Sequence, residues 1–147
     1  MSLTENILAE ARSWIGTPYR HQGSAKGLGT DCLGLLRGVW RETLGAEPEI
    51  VPPYTEDWAE PERREVLWEA AERCLLRKSL AEAEPGDVVL FRMRETSIAK
   101  HLGIQSAVHP TPCFIHAYTA HGVIESPLSR PWQRRIVARF AFPKGAK

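Results

Sequence analysis

The sequence predicts an α+β domain in which helices from the first half of the chain pack on an antiparallel sheet from the second half. Apolar residues recur every three or four positions up to about residue 76, which is the period of amphipathic helices. After residue 85 the pattern changes to short runs of alternating polarity, separated by turn residues. With 147 residues, 43% of them hydrophobic, the chain is long enough for one real core. We therefore predict a single domain over residues 1–147, with an insert at about 45–80.

The first predicted helix begins near Thr4, which is suited to cap it, and ends before Gly16 and Pro18. Its apolar stripe consists of Ile7, Leu8, Ala11, Trp14 and Ile15. Residues 20–30, RHQGSAKGLGT, are rich in glycine and predict a loop.

The second predicted helix has Thr30 or Asp31 as its N-cap and stops at Gly45. Its apolar stripe is formed by Cys32, Leu35, Leu36, Val39, Trp40 and Leu44. Cys32 is thus expected in the first turn of a helix that packs against the rest of the domain.

The insert begins with a segment that carries Pro48, Pro52 and Pro53, which exclude regular structure there. A third helix is predicted from about Pro61 to Leu76. Cys74 lies on its apolar side and is interpreted as a small packed hydrophobic residue.

Five runs in the second half predict strands: PGDVVLFRM, HLGIQSAV, CFIHAY, GVIESP and RRIVARFAF. Their alternation puts His101 and His116 on definite faces of their strands. The sequence HPTPC at 109–113 predicts a hairpin tip, where Cys113 is expected to be inert.

Charge and composition exclude several classes of protein. The chain has 19 Lys and Arg against 18 Asp and Glu, which argues against a nucleic-acid partner. The basic cluster Arg130, Arg134, Arg135 and Arg139 is interpreted as the solvated rim of a strand. The N-terminus, MSLTENILAEARSW, does not resemble a secretory signal, and no apolar run is long enough for a membrane span.

The three cysteines are widely spaced and form no CxxC pair, so neither a disulfide framework nor a zinc site is predicted. Free thiols indicate synthesis in a reducing compartment, the cytoplasm. His116 and His121 are five residues apart, but no carboxylate or cysteine completes a ligand set. We therefore expect no metal and no cofactor.

Cys32 has the position of a nucleophile. The backbone N–H groups and the dipole of a helix N-terminus favour a thiolate, and one N–H group is available for an oxyanion. The neighbouring Asp31 works against this, because its negative charge raises the pKa of a thiol. Asp31 therefore either caps the helix or binds a cationic group of a substrate.

A nucleophilic cysteine also needs a base and a group that orients the base. His101 opens a predicted strand after the turn RETSIAK, and a histidine on a strand beside a helix N-terminus is the papain-like arrangement. His116, 15 residues later, is the candidate that holds the first imidazole in place. His121 is its competitor for this role.

Five blocks of this sequence carry a resemblance: ARSWIGTPYRHQG, GTDCLGLLRGVW, EPGDVVLF, KHLGIQ and FIHAY. In order and approximate spacing they resemble the NlpC-type cell-wall endopeptidases, papain-like cysteine peptidases that act on peptidoglycan stem peptides. The resemblance spans residues 5–142. Within that family, the chain most resembles the short single-domain versions encoded with tail genes of phages and gene transfer particles.

The resemblance implies a papain-like fold, with Cys32 as nucleophile, His101 as general base and His116 as the orienting residue. It also implies that Tyr19 lies near the nucleophile, where it positions substrate or stabilises the oxyanion. Asp31 matches a position associated with substrate recognition.

Two positions depart from the family pattern. Leu33 stands where serine is usual, which removes a hydroxyl from the substrate groove, and Gln105 replaces the usual tyrosine. Both departures concern the identity of the substrate and leave the Cys–His–His set intact.

The implied reaction is hydrolysis of an amide bond in a peptidoglycan stem peptide, between D-glutamate and the diamino acid, through a thioester. The implied partners are peptidoglycan and phage-like tail proteins, with delivery to the periplasm or cell wall in a particle. Two alternatives stay open: a structural tail-tip component with little turnover, and an amidase or acyltransferase that uses the same three residues.

Overall fold

The computed structural model describes residues 2–55 and 64–144, which form four helices and eight strands. In chain order these are α1 (Leu3–Ser13), β1 (Ser24–Ala25), β2 (Gly29–Thr30), α2 (Cys32–Thr43), α3 (Val66–Cys74), β3 (Leu76–Lys78), β4 (Val88–Arg92), β5 (Ala99–Ala107), β6 (Cys113–Tyr118), β7 (Gly122–Pro127), α4 (Arg130–Gln133) and β8 (Ile136–Ala141).

Six of the strands form one sheet in the order β3-β8-β4-β5-β6-β7, and all of its neighbouring pairs are antiparallel. β1 and β2 form a separate antiparallel pair. The larger helices precede the sheet in sequence, so the predicted α+β arrangement is confirmed. None of the helices in the described ranges has the length and apolar composition needed to cross a membrane.

The sheet separates two apolar cores. The core between the sheet and the helices includes Ile7, Trp14, Cys32, Leu35, Val39, Leu67, Val88, Leu90, Leu102, Ile104, Ile115 and Phe140. The core on the opposite face consists of Val89, Phe91, Phe114 and Leu128, against which Trp132 of α4 packs. Because side chains alternate along a strand, β4 and β6 contribute to both cores.

The helix boundaries differ from the prediction at two points of the described chain. Ser2, and not Thr4, caps α1, and it forms a capping box with Glu5. The third helix is Val66–Cys74, and Leu76 already belongs to β3, so the predicted end was wrong. The predicted start at 61 lies outside the described residues.

β6 and β7 coincide with the predicted runs CFIHAY and GVIESP, and the runs PGDVVLFRM and RRIVARFAF contain β4 and β8. β5 begins at Ala99, two residues before the predicted run HLGIQSAV. The prediction missed β1, β2, β3 and α4, all of two to four residues. Elements this short contain too few positions for a period to be visible.

Arg139 corrects the interpretation of the basic cluster as a solvated rim. It is 4% exposed, and its Nη1 donates to Asp87 Oδ2 at 2.8 Å and to Gln105 Oε1 at 2.5 Å. Lys78 Nζ donates to the other oxygen of Asp87 at 2.8 Å. The prediction failed because β8 lies inside the sheet, between β3 and β4. Gln105, one of the two departures from the family pattern, therefore has a structural role.

A β-bulge at Lys100 fixes the direction of His101. In the pairing of β4 with β5, Phe91 is opposite His101 and Arg92 is opposite Ala99, so Lys100 is the extra residue. Ala99 packs in the helix-side core, whereas the imidazole of His101 contacts the ring of Phe91 on the opposite face.

Candidate active site

Cys32 is the first residue of α2 and is 6% exposed. Its thiol donates to the carbonyl oxygen of Lys100 in the bulge, with 3.8 Å between Sγ and that oxygen. Asp31 is the N-cap, since its backbone is extended and its Oδ1 accepts from the Gly34 N–H at 2.8 Å. Of the two capping candidates in the sequence, Asp31 is therefore the one used.

The second carboxylate oxygen of Asp31 is also occupied. It accepts from the Gln22 N–H at 2.7 Å and from the hydroxyl of Tyr54 in a short hydrogen bond. Nδ1 of His21 lies 4.0 Å away. At 3% exposure, this carboxylate is buried among its own donors.

His101 and His116 are joined directly, with 2.8 Å between His101 Nε2 and His116 Nδ1. Nε2 of His116 lies 3.2 Å from the hydroxyl oxygen of Ser126 on β7. If His101 donates from Nε2, His116 accepts at Nδ1 and its Nε2–H points to Ser126; this tautomer pattern is assigned from the network. Nδ1 is then the nitrogen of His101 that remains to take a proton from Cys32.

An aromatic cluster surrounds the two imidazoles. Trp132 has its ring centroid 5.7 Å from that of His101 and 5.2 Å from that of His116. Phe114 stacks on His116 at 4.0 Å. His121, the competing third residue, instead stacks on Tyr118 at 5.5 Å. These ring contacts leave His101 7% and His116 1% exposed, and they pack against both imidazoles.

A cavity of about 380 Å³, the catalytic cavity, is lined by both the candidate nucleophile, Cys32, and the candidate base, His101. Its lining is Tyr19, His21, Asp31, Cys32, Tyr54, Met93, Lys100, His101, Ala117, Tyr118 and Thr119. Tyr19 is half-buried there, as the resemblance implies for a residue near the nucleophile. Across the described ranges, no group of three or more His, Cys, Asp or Glu side chains is arranged to hold a metal ion.

Burial opposes a charge on the thiol and on both imidazoles of the site. It raises the pKa of the Cys32 thiol to about 12, and the charge of Asp31 raises it further. Burial, followed by the neighbouring His116, lowers the pKa of His101 to about 3. Burial, followed by His121, lowers the pKa of His116 to about 4. Burial of Cys32 thus opposes the thiolate that the helix N-terminus favours.

A second, larger cavity of about 610 Å³, the apolar cavity, lies beside the first between α2, α3 and the proline-bearing segment. Leu33 and Leu102 line it, together with residues such as Leu36, Trp40, Val51, Val66, Ala70 and Cys74. Leu33 thus faces this cavity, and it is absent from the lining of the catalytic cavity. Tyr54 lines both cavities.

Sequence reasoning missed Tyr54 and Ser126. Tyr54 follows Pro53 in a segment whose composition indicates only irregular structure, and Ser126 is one polar position in an alternating strand. Each reaches the site through pairing with a residue far away in sequence, which leaves no local signal.

Comparisons with known proteins find matches to this chain in sequence and in fold. The model of the NlpC/P60 family matches residues 16–140. The chain is 32% identical over 136 residues to the murein DD-endopeptidase MepS/murein LD-carboxypeptidase of Escherichia coli K12, covering 92% of this chain and 61% of that protein. It is 29% identical over 131 residues to the gamma-DL-glutamyl hydrolase of Bacillus subtilis 168, covering 88% of this chain and 27% of that protein. The chain thus spans about three fifths of MepS and about a quarter of the hydrolase.

Two solved structures share the fold. The NlpC/p60 domain of the peptidoglycan hydrolase SagA has a TM-score of 0.65 and 21% identity, covering 95% of this chain and 98% of that one. RipD from Mycobacterium tuberculosis, described as a non-catalytic NlpC/p60 domain protein adapted to peptidoglycan binding, has a TM-score of 0.56 and 12% identity. That match covers 96% of this chain and 97% of RipD. By its sequence match over residues 16–140 and by its fold, this chain belongs to the NlpC/P60 family.

Proposed function

We propose that this chain is a cysteine endopeptidase that hydrolyses an amide bond in peptidoglycan stem peptides through a thioester intermediate. The observation that carries the proposal is the 2.8 Å contact between His101 and His116, with His101 lining one cavity together with Cys32. A nucleophile, a base and a group that orients the base are what acyl transfer requires. The proposal treats residues 1–147 as one catalytic domain.

The first half of the reaction starts from a neutral thiol and a neutral imidazole. As Cys32 Sγ attacks the scissile carbonyl, its proton passes to Nδ1 of His101. His116 accepts from the opposite nitrogen and thereby stabilises the imidazolium that forms. The N-terminal backbone N–H groups of α2 are the candidate donors to the oxyanion, with Tyr19 as a further candidate.

The second half releases the acyl group. His101 first gives its proton to the leaving amine, which departs and leaves a thioester on Cys32. Neutral again, His101 takes a proton from water, whose oxygen attacks the thioester carbonyl. The Cys32 sulfur leaves, recovers the proton, and the carboxylic acid product dissociates.

The finer parts of the proposal concern the bond and the setting. We propose cleavage between D-glutamate and the diamino acid, which the name of the gamma-DL-glutamyl hydrolase supports. Asp31 and Leu33 are proposed to contribute to substrate recognition. We also propose that the chain acts within a phage-like particle, in contact with tail proteins and delivered to the cell wall, as the sequence resemblance implies.

Replacing Cys32 tests the nucleophile. We expect Cys32→Ala to lower the cleavage rate of defined stem peptides by about three orders of magnitude or more, because no other group supplies the attacking sulfur. Cleavage is followed by mass analysis of the products, which also identifies the bond. Circular dichroism checks that the variant remains folded.

Cys74→Ala and Cys113→Ala are the matched controls, since both thiols lie outside the catalytic cavity. They are expected to keep the parental rate. Full activity in Cys32→Ala would eliminate the proposed mechanism. RipD makes a binding role the second candidate, and a parent protein that binds peptidoglycan without releasing any product would favour it. Product analysis with a competing amine separates hydrolysis from acyl transfer.

A further inference from the structure

Four arginines form a basic surface beside the active site. Two chain segments carry them, residues 93–98 after β4 and residues 130–135 before β8. The segments are joined by a hydrogen bond from the Arg92 N–H to the Arg135 carbonyl at 2.8 Å. Arg135 is half-buried and the other three arginines are exposed. This arginine surface consists of Arg94, Arg130, Arg134 and Arg135.

The arginine surface lacks the acidic partners that arginines have elsewhere in the chain. Arg12, Arg37 and Arg73, for example, each pair with a glutamate. None of the four arginines forms an ion pair with an Asp or Glu of the described ranges. Glu95, which is exposed and follows Arg94, is the one acidic residue in the two segments. The surface therefore has an excess of positive charge that these segments do not compensate.

Two contacts place the arginine surface next to the catalytic cavity. Met93, in the same turn as Arg94, lines that cavity. Trp132, which lies in α4 among the other arginines, has its ring centroid 5.7 Å from that of His101. The guanidinium carbon of Arg135 lies 5.7 Å from the centroid of the same indole. A peptide bound in the cavity therefore needs to extend only past Met93 or Trp132 to approach these positive charges.

We propose that the arginine surface binds free carboxylates of the stem peptide that lie outside the scissile bond. The inference rests on the proposed function, since it names the substrate class of the same site. That class is a stem peptide with ionised carboxyl groups, at its C-terminus and on the side chain of its diamino acid. The planar guanidinium suits them because it donates two parallel hydrogen bonds to one carboxylate. Conversion of the carboxylates to carboxamides removes this recognition.

Binding to the Cys32→Ala protein measures the recognition without turnover. Isothermal titration calorimetry compares two probes. One is L-Ala-γ-D-Glu-diaminopimelate-D-Ala, and the other is the same peptide with the distal diaminopimelate carboxyl and the C-terminal carboxyl converted to carboxamides. We expect the free-carboxylate peptide to bind more tightly by about fivefold or more. The difference should shrink between about 50 and about 300 mM NaCl, because salt screens exposed charges.

The triple variant Arg94→Gln/Arg130→Gln/Arg134→Gln removes the exposed charges and leaves Arg135 on Trp132. In the same background it should bind the free-carboxylate peptide more weakly by about fivefold or more, and the amidated peptide within about twofold of the unsubstituted affinity. Circular dichroism checks the fold of this variant.

Lys144→Gln is the matched control. Lys144 is exposed, forms no ion pair with an acidic residue of the described chain, and follows the opposite end of β8 from Arg135. This substitution removes one positive charge far along the strand and should leave both affinities unchanged.

The outcomes separate the two proposals. Equal affinity for the two peptides overturns the inference, and so does a triple variant that discriminates between them as the unsubstituted protein does. A poly(glycerol phosphate) chain that binds the arginine surface while both peptides bind equally overturns it in favour of a phosphate polymer. If binding distinguishes the peptides but the protein with Cys32 intact cleaves neither, the inference stands and the proposed function fails. Cleavage of both peptides with the same kcat/KM has the reverse meaning.

Discussion

His116 occupies the centre of a chain of three polar groups, between the imidazole of His101 and the hydroxyl of Ser126. The contact with His116 uses Nε2 of His101, which leaves Nδ1 as the nitrogen that can take a proton from Cys32. The rings are buried beneath Trp132, and burial lowers the pKa of both imidazoles, so a positive charge that forms on His101 as Cys32 attacks needs a partner. The hydrogen bond to His116 is thus worth more in the transition state than in the ground state.

We predict that His116→Ala lowers kcat by about 10²-fold, the usual size of a lost acid–base partner, with little change in KM. His116→Asn should recover part of kcat, because its side-chain oxygen can still accept from His101. Steady-state kinetics on one defined stem peptide measures both parameters.

The control for this prediction is His121→Ala, which should stay within about twofold of the parent. His121 is exposed and stacks on Tyr118. A larger loss for His121→Ala than for His116→Ala would show that the orienting residue has been misassigned.

Candidate site residues could be predicted from the sequence where they lie in a recognisable motif. Residues that only contact these candidates in the folded structure could not be predicted. Cys32, His101 and His116 were candidates because each has a helix-capping or strand position and lies in a motif. Tyr54 and Ser126 had no such context, and their roles follow from contacts with residues 23 and 10 positions away.

At the scale of elements, the N-terminus of α2 is held against the loop before it by a close backbone contact. A Cβ added at Gly34 would lie 1.7 Å from the Gly23 carbonyl oxygen and 2.5 Å from Thr30 Oγ1. The Gly34 carbonyl also accepts from the Ser24 hydroxyl at 2.7 Å. Glycine at this position therefore lets the loop and the helix approach closely enough to orient Cys32.

We predict that Gly34→Ala lowers the free energy of unfolding by roughly 2–3 kcal/mol, because the obstructing atom is backbone and yields only by moving the loop. Activity should fall as well, since the displaced turn carries the nucleophile. Urea denaturation and the peptide assay measure the two effects.

Glu42→Ala, an exposed substitution in the same helix, is the control and should change stability by no more than about 0.5 kcal/mol. A Gly34→Ala protein as stable as this control would contradict the close-contact argument.

Element prediction succeeded where a period extended over five or more residues, as in α2, β6 and β7. It failed for β3 and α4 because three or four residues carry no period. The burial of Arg139 was also invisible, since it depends on β8 lying inside the sheet and on Asp87 and Gln105 meeting there.

At the scale of the whole molecule, the buried triad links stability to pH. His101 and His116 have folded pKa values lowered by burial, so the unfolded chain binds more protons than the native protein below about pH 6.5. Stability is therefore lost as the pH falls from about 6.5 toward 3. The Cys32 thiol has the opposite effect on stability. Its raised pKa makes the native state bind more protons than the unfolded chain above about pH 9, so stability is lost as the pH rises further.

We predict that the free energy of unfolding is highest between about pH 6.5 and 9. Between pH 6.5 and 5 it should fall by roughly 2 kcal/mol for each buried imidazole. Urea denaturation at several pH values measures the curve. In the double variant His101→Gln/His116→Asn, the free energy of unfolding should fall less steeply between pH 6.5 and 5.

His109→Gln removes an exposed histidine from the β5–β6 loop and is the control, with the parental slope. If the free energy of unfolding of the double variant falls as steeply below pH 6.5 as that of the parent, other groups cause the loss of stability.

The two apolar cores described above have a consequence for how the protein gains its reactivity. Cys32 belongs to the core beneath the helices, whereas the histidine pair lies on the other face of the sheet, under Trp132. The bulge at Lys100 is where the two sides meet. A newly made chain in which only one face has packed contains either a thiol with no base or a base with no thiol. Cys32 and its candidate base therefore come together only where both faces of the sheet are packed, so damage to either core is expected to lower activity.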